Sequence, residues 1–171
     1  RRRDAGERIV RSGIQQNIRR LPAGRSLDEV PDPEAFRLEP ILLEPGFAAA
    51  RRFAPSKRYW AIVGNGPNVV AAEEVRIKLS ELCYKSIACD VTEDKKHIDL
   101  SSEPLILVCA AGLAGSTADD VSKEVAIFRA HKATPIVVAD DGDVRYAAAA
   151  TISVPPVDPA VGFVLSTMAG H

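Results

Sequence analysis

The chain has 171 residues, of which 46% are hydrophobic, and a net charge of −1. This suits one core with an appendage, and the balanced charge gives no reason to expect nucleic acid or an acidic membrane as partner. No apolar run approaches the roughly 20 residues that cross a bilayer, and no apolar segment follows Arg1-Arg2-Arg3-Asp4 to make a secretory signal.

The first patterned segment is Glu7 to Arg20. Ile9, Val10, Ile14 and Ile18 recur at helical spacing with Arg and Gln between them, which predicts an amphipathic helix despite Gly13. Leu21-Pro22-Ala23-Gly24 stops it. Ser26 to Arg58 holds Pro31, Pro33, Pro40, Pro45 and Pro55 and reads as irregular, with Ile41-Leu42-Leu43 as an anchor and one short helix within Gly46 to Phe53. The expected division is therefore an arm or linker over 1–58 and a domain over 59–171.

From Tyr59 the texture changes. Tyr59–Val63, Ser86–Val91, Leu105–Ala111, Pro135–Ala139 and Thr151–Val154 read as strands. Asn68–Tyr84 and Ser116–Lys132 read as helices, and a further helix begins near Pro159. It stops unfinished at His171, as in a piece of a longer chain. The run Leu105–Ala111 is apolar throughout, as a central parallel strand is. Strands alternating with helices predict an α/β fold: a three-layer, doubly wound parallel sheet of about five strands.

Cys83, Cys89 and Cys109 form an odd set without a Cys-x-x-Cys pair or a histidine at zinc-finger spacing. They read as free thiols in a reducing compartment, hence a cytoplasmic protein with no metal and no cofactor.

Ligands of open parallel sheets bind at the carboxyl ends of the strands. Gly64-Asn65-Gly66-Pro67 would make a tight strand-to-helix turn with Pro67 in the first helical position, and only a weak dinucleotide reading survives through Asp90. Gly112 to Asp119 offers small residues before a helix. Ser116 and Thr117 there read either as phosphate donors or as N-caps in a capping box with Asp119 or Asp120. Glu74, Lys78 and Glu81 share one face of the first helix, beside an apolar face of Ala71, Val75, Leu79 and Leu82. The charged set reads as a surface array, or as a general base Glu81 whose charge environment Lys78 sets. His97 follows Lys95-Lys96 on a polar loop and is either solvated or a proton carrier.

The run from Ala61 to Leu107 resembles the second sugar-isomerase (SIS) domain of the isomerising glutamine–fructose-6-phosphate aminotransferases, the glucosamine-6-phosphate synthases. That family has a Gly-x-Gly turn, a helix of the form Glu-Gly-Ala-Leu-Lys-Leu-Lys-Glu-Ile-Ser-Tyr, and a Glu-Leu-Lys-His-Gly-Pro loop. Glu74 to Tyr84 and Asp94 to Leu100 stand in register with the last two, with Ile98-Asp99 in place of Gly-Pro. The resemblance implies the SIS fold, a homodimer, a sugar phosphate as ligand, and chemistry of the fructose 6-phosphate to glucosamine 6-phosphate type. It implies Glu81 as the base moving a proton between C1 and C2, and His97 as the residue that assists ring opening in a neighbouring subunit's site. Lys78, Glu74 and Lys96 would line that site; Gly64, Gly66, Ser116 and Thr117 are the further candidates for substrate contact, from their loops at the strand ends. Gly112-Leu113-Ala114-Gly115-Ser116-Thr117 lacks both serines of the family's phosphate loop, which belongs to the first SIS domain. SIS domains also serve as non-catalytic sugar-phosphate sensors or as dimerising halves of larger enzymes.

Overall fold

The computed structural model describes residues 39–97 and 100–171. The helix expected over Glu7–Arg20 and the first part of the proline-rich stretch lie outside the described residues. Leu38–His171 forms one compact unit.

Helix α1 spans Glu39–Phe53 and a 3-10 turn follows at Ala54–Ser56. The alternation is then β1 (Trp60–Gly64), α2 (Asn68–Cys83), β2 (Ala88–Asp90), α3 (Thr92–His97), β3 (Leu105–Cys109), α4 (Gly115–Ala130), β4 (Thr134–Asp140), β5 (Ala150–Val154) and α5 (Gly162–Gly170). The five strands pair in parallel in the order β2-β1-β3-β4-β5. Each predicted strand is present, displaced by a few residues at most.

Two local expectations change. The irregular stretch before Tyr59 contains a fifteen-residue helix, α1. Pro40 falls in its first turn, where a missing N–H costs nothing, and Ala49 on its inner side is buried with Ile152 and Leu165. His97 is not on a loop: it ends the six-residue helix α3. The sequence Thr-Glu-Asp-Lys-Lys-His has no apolar period, so its helicity comes from anchors at both ends rather than from a buried stripe. Ile98 and Asp99 lie outside the described residues.

Chirality decides which face each helix covers. A strand–helix–parallel strand crossover is right-handed. The β1–α2–β2 step moves toward one edge, whereas β2–α3–β3 and β3–α4–β4 move toward the other. Right-handedness therefore sends α2 to one face and α3 and α4 to the opposite face. The packing agrees. On the α4 face, Val121, Val125 and Phe128 bury Val63, Val108 and Val137. On the other face, Ala71, Ala72 and Val75 of α2 bury Ile62 and Cys109. Leu165 of α5 and Ala49 of α1 cover Ile136, Val138 and Ile152. The core is thus two apolar layers, one on each side of the sheet. Leu82, expected on the inner face of α2, is instead exposed one residue before the end of that helix.

Candidate functional site

The strand order reverses between β1 and β3, so the crevice of a doubly wound sheet should open over the ends of these two strands. The turn after β1 is tight because Gly64 lies against the Asn68 carbonyl, where a Cβ would collide. Gly66 takes a left-handed φ of +56°. The first N–H groups of α2 are drawn into this turn: Asn68, Val69 and Val70 donate to Asn65, Gly66 and Pro67 carbonyls, each at 3.2 Å. Pro67 is the N-cap of α2 rather than its first helical residue.

On the α2–α5 side the chain ties these strand ends together. The buried Asn68 side chain donates to the Ala111 carbonyl at 2.9 Å, and Ser166 of α5 donates to Asn68 Oδ1 at 2.6 Å. Ala111 N–H donates to Ser166 Oγ at 3.3 Å. Beside this triangle, Gly112 and Gly162 meet backbone to backbone. Gly112 N–H donates to Asp140 Oδ1 at 2.8 Å, so a carboxylate of the protein already sits where an anion would meet this loop.

Ser116 and Thr117 are exposed in the first turn of α4, next to Gly115. The capping box does not form. The helix starts one residue earlier than expected, with Ala114 as N-cap and no side-chain cap. Asp119 instead pairs with Arg145 at 3.4 Å and Asp120 with Lys123 at 3.1 Å. The nearby Tyr146 hydroxyl is buried without a hydrogen-bond partner, and burial, followed by the charge of Asp143, pushes it up to about 12.

Glu74, Lys78 and Glu81 do share a face of α2. Lys78 Nζ lies 3.4 Å from Glu81 Oε2, and Glu74 Oε1 lies 3.5 Å from His171 Nε2. Glu81 is open to solvent and sits about 20 Å along the helix axis from Asn68, at 1.5 Å per residue. It is therefore near the amino ends of the strands. An apolar cavity of about 400 Å³ opens there between α1, α2 and the sheet, lined by Phe47, Trp60, Leu79, Cys83, Leu107 and His171 among others. Glu81 and Lys78 do not line it.

His97 lies on the other face of the sheet. Asn65 Oδ1 accepts from both Thr92 N–H and Thr92 Oγ1, each at 3.0 Å, and so holds the first turn of α3 against the β1 loop. In the last turn Lys96 Nζ bridges Glu93 Oε2 at 2.7 Å and Glu124 Oε1 of α4 at 3.0 Å. The other oxygen of Glu93 faces His97 Nε2 at 3.5 Å. Lys96 is raised by its bond to Glu93 and then by Glu124, and Glu93 is lowered, first by Lys96. Within one chain, then, Glu81 and His97 are on opposite faces of the sheet.

Sequence reasoning missed Asn65, Asn68, Asp140, Ser166 and Glu124. Glu124 had a signal: with Val121, Val125 and Phe128 it falls at helical spacing on the core-facing side of α4, a charge where the pattern asks for an apolar residue. Asn68 opens an apolar run after the turn and Ser166 stands next to Thr167 in another, so neither carries a pattern of its own. Among the described residues, no group of three or more His, Cys, Asp or Glu is placed to hold a metal, and no helix is long and apolar enough to cross a membrane.

No family profile matches the sequence, and no curated protein matches it. Solved structures do. The C-terminal domain of glucosamine-fructose-6-phosphate aminotransferase from Francisella tularensis superposes with a TM-score of 0.57 at 14% identity, over 77% of this chain and 40% of that one. This chain has the SIS fold. A candidate sugar-phosphate isomerase from Listeria monocytogenes matches with a TM-score of 0.53 at 15% identity, over 75% of this chain and 73% of that one. NanR from Vibrio vulnificus, in complex with ManNAc-6P, matches at 0.52 and 10%, over 74% and 49%. The chain thus spans under half the length of the first and third of these SIS-fold structures. The five-stranded parallel sheet expected from the alternation of elements is the sheet they share.

Proposed function

We propose that this chain is the sugar-phosphate domain of an isomerising enzyme of the SIS fold, with Glu81 as the proton-transferring base and His97 serving ring opening at a second chain's site. The observation that carries the reading is the placement of the two residues. Both are exposed, both belong to motifs in register with the aminosugar-phosphate synthases, and right-handed crossovers keep them apart within one chain. A site using both needs two chains. Aldose–ketose interconversion suits such a division, since it needs one carboxylate working in both directions at C1 and C2 and a separate group for the ring oxygen.

A homodimer fits the exposed apolar residues of the α1–α5–α2 face, Phe47, Val164, Met168 and Leu82. Glucosamine 6-phosphate chemistry, a phosphate grip at Ser116 and Thr117, substrate contacts at Glu74, Lys78, Gly64 and Gly66, and a cytoplasmic setting for the free thiols belong to the same reading.

The test is solvent-deuterium incorporation at C1 and C2 of fructose 6-phosphate and glucosamine 6-phosphate by the full-length protein. Incorporation that Glu81→Gln abolishes is expected. Incorporation that survives Glu81→Gln removes Glu81 as the base.

A second reading, a sugar-phosphate-binding module without turnover, is favoured by one observation: Glu81 is engaged by Lys78 on an open helix surface and does not line the apolar cavity that Leu79 and Cys83 border. Calorimetry with the same sugar phosphates separates the two, because binding without deuterium exchange supports the module.

A further inference from the structure

We infer that Glu124 is a positioning residue for His97, acting through Lys96, and that Lys96 is a strut of helix α3 rather than a substrate contact. The role at His97 rests on the function proposed above; the strut itself does not. Glu124 is among the few buried charged residues of the described chain, 6% exposed, and it sits in the apolar layer formed by Val121, Val125 and Phe128. A carboxylate there loses its hydration, and a leucine would fill the same space without that cost. One of its oxygens, Oε2, is buried with no hydrogen-bond partner, so Glu124 is not retained for a saturated network. What it does is hold Lys96 Nζ at 3.0 Å.

Helix α3 needs such a hold. It has six residues, too few to be stable by its own hydrogen bonds. Of its side chains, Thr92 and Lys95 are buried, and Thr92 is tied to Asn65 in the first turn. In the last turn, beside the buried Lys95 and next to His97, Lys96 ties the helix to Glu124 of α4. The charges then continue outward: Lys96 holds Glu93 Oε2 at 2.7 Å, and Glu93 Oε1 faces His97 Nε2 at 3.5 Å. The ammonium is thereby engaged by two carboxylates, and the backbone at His97 is fixed relative to α4.

The test uses the full chain with Glu124→Gln and, separately, Lys96→Met. Hydrogen exchange is followed by amide, and the His97 imidazole is followed by its ring-proton resonances. The expected result in both variants is exchange about tenfold faster in α3, as for loss of one charged hydrogen bond, with a displaced His97 resonance and unchanged exchange in β1, β3 and β4. Parent-like α3 exchange and a parent-like His97 resonance in both variants overturn the inference. Should either single variant lose protection throughout, Glu124→Leu with Lys96→Met removes both charges at once. Restored core protection with His97 still displaced supports the strut; a parent-like His97 resonance overturns it. If the parent isomerises a sugar phosphate, Glu124→Gln lowers kcat and leaves KM unchanged. If the parent isomerises none, the proposed chemistry fails while exchange and resonance still decide the strut.

Discussion

Ser166 donates its hydroxyl to the carboxamide oxygen of Asn68 at 2.6 Å, across 98 positions of sequence. Both side chains are fully buried, and together with the backbone of Ala111 they join the start of α2, the loop after β3 and the middle of α5. The triangle stands at the point where the strand order reverses, which many doubly wound proteins leave open for a ligand. Here the chain closes its α2–α5 side with hydrogen bonds of its own.

The first prediction follows from that closure. Ser166→Ala leaves Asn68 Oδ1 and Ala111 N–H buried and unpaired and is expected to cost about 1–3 kcal/mol. Asn68→Leu strands the Ala111 carbonyl and the Ser166 hydroxyl as well and is expected to cost more. Urea denaturation checks both, and a cost below about 0.5 kcal/mol for Ser166→Ala, the level of an ordinary surface change, contradicts the hydrogen-bonded triangle.

A second prediction concerns the two glycines beside the triangle. A Cβ on Gly162 would enter the Ala111 carbonyl group, and one on Gly112 would lie 3.1 Å from Gly162 Cα at a φ of +71°. Backbone cannot give way as a side chain can. Gly162→Ala is therefore expected to destabilise by about 3 kcal/mol or more. Gly66→Ala, with a φ of +56° but open space around it, bears only the left-handed backbone penalty of about 1–2 kcal/mol. Equal costs in thermal melts of the two variants would show that contact does not dictate glycine at 162.

The difference between these residues and the sheet shows what a sequence can display. β3 is legible because five consecutive apolar residues are packed from both faces, four of them buried, and that demand is local. α2 and α4 are legible from their 3.6-residue period. The Asn68–Ser166 bond is not, because it depends on which strand follows which in space. α1 was hidden by Pro40 and Pro45, residues that argue against a helix unless one falls in the first turn and packing outweighs the other. α3 was hidden because its residues are all polar and its helicity is imposed by Asn65 and Glu124 from other elements. Of the candidate site, Glu74, Lys78, Glu81 and His97 were visible as chemistry-bearing types in a motif, whereas their distribution over two faces is a consequence of crossover handedness.

The third prediction separates chemistry from folding at Glu81. The Lys78–Glu81 pair is 3.4 Å apart with 41% and 61% of the two side chains exposed. Exposed helical pairs contribute only about 0.3–0.5 kcal/mol. Glu81→Gln is thus expected to shift the melting free energy by no more than about 0.5 kcal/mol. A larger loss would mean that Glu81 supports the fold, and any fall in deuterium exchange in that variant could no longer be read as loss of a base.

Thiol reactivity and pH supply a fourth. Cys109 ends β3 and is enclosed beneath α2, and burial pushes its thiol up to about 12 from an ordinary 9.0. Cys89 is raised as well, by burial and then by Glu73, whereas Cys83 is exposed. Iodoacetamide at pH 8 should label Cys83 in the folded chain and Cys109 only after denaturation. The sign of the pH effect follows from the same shift. Above pH 9 an unfolded chain releases the Cys109 proton while the folded chain keeps it to about 12, so the unfolded state binds fewer protons and stability falls as pH rises through that window. Stability that is flat from pH 9 to 11 would contradict a buried neutral thiol.

The last prediction tests how α3 is started. Asn65 belongs to the turn after β1, yet its Oδ1 accepts from Thr92 N–H and Thr92 Oγ1, the two donors at the first residue of α3. It therefore does for this helix what an N-cap side chain does, from 27 positions away. Removing a cap of this kind costs about 1–2 kcal/mol. Asn65→Ala is expected to lose that amount in urea denaturation and to speed amide exchange in α3 first, since Thr92 then has a buried hydroxyl and N–H without their acceptor. Asn65→Asp keeps an acceptor oxygen in place and should retain most of the protection. If Asn65→Ala accelerates exchange in α2 rather than α3, the side chain serves its own turn, and the start of α3 is held by the packing of Thr92 alone.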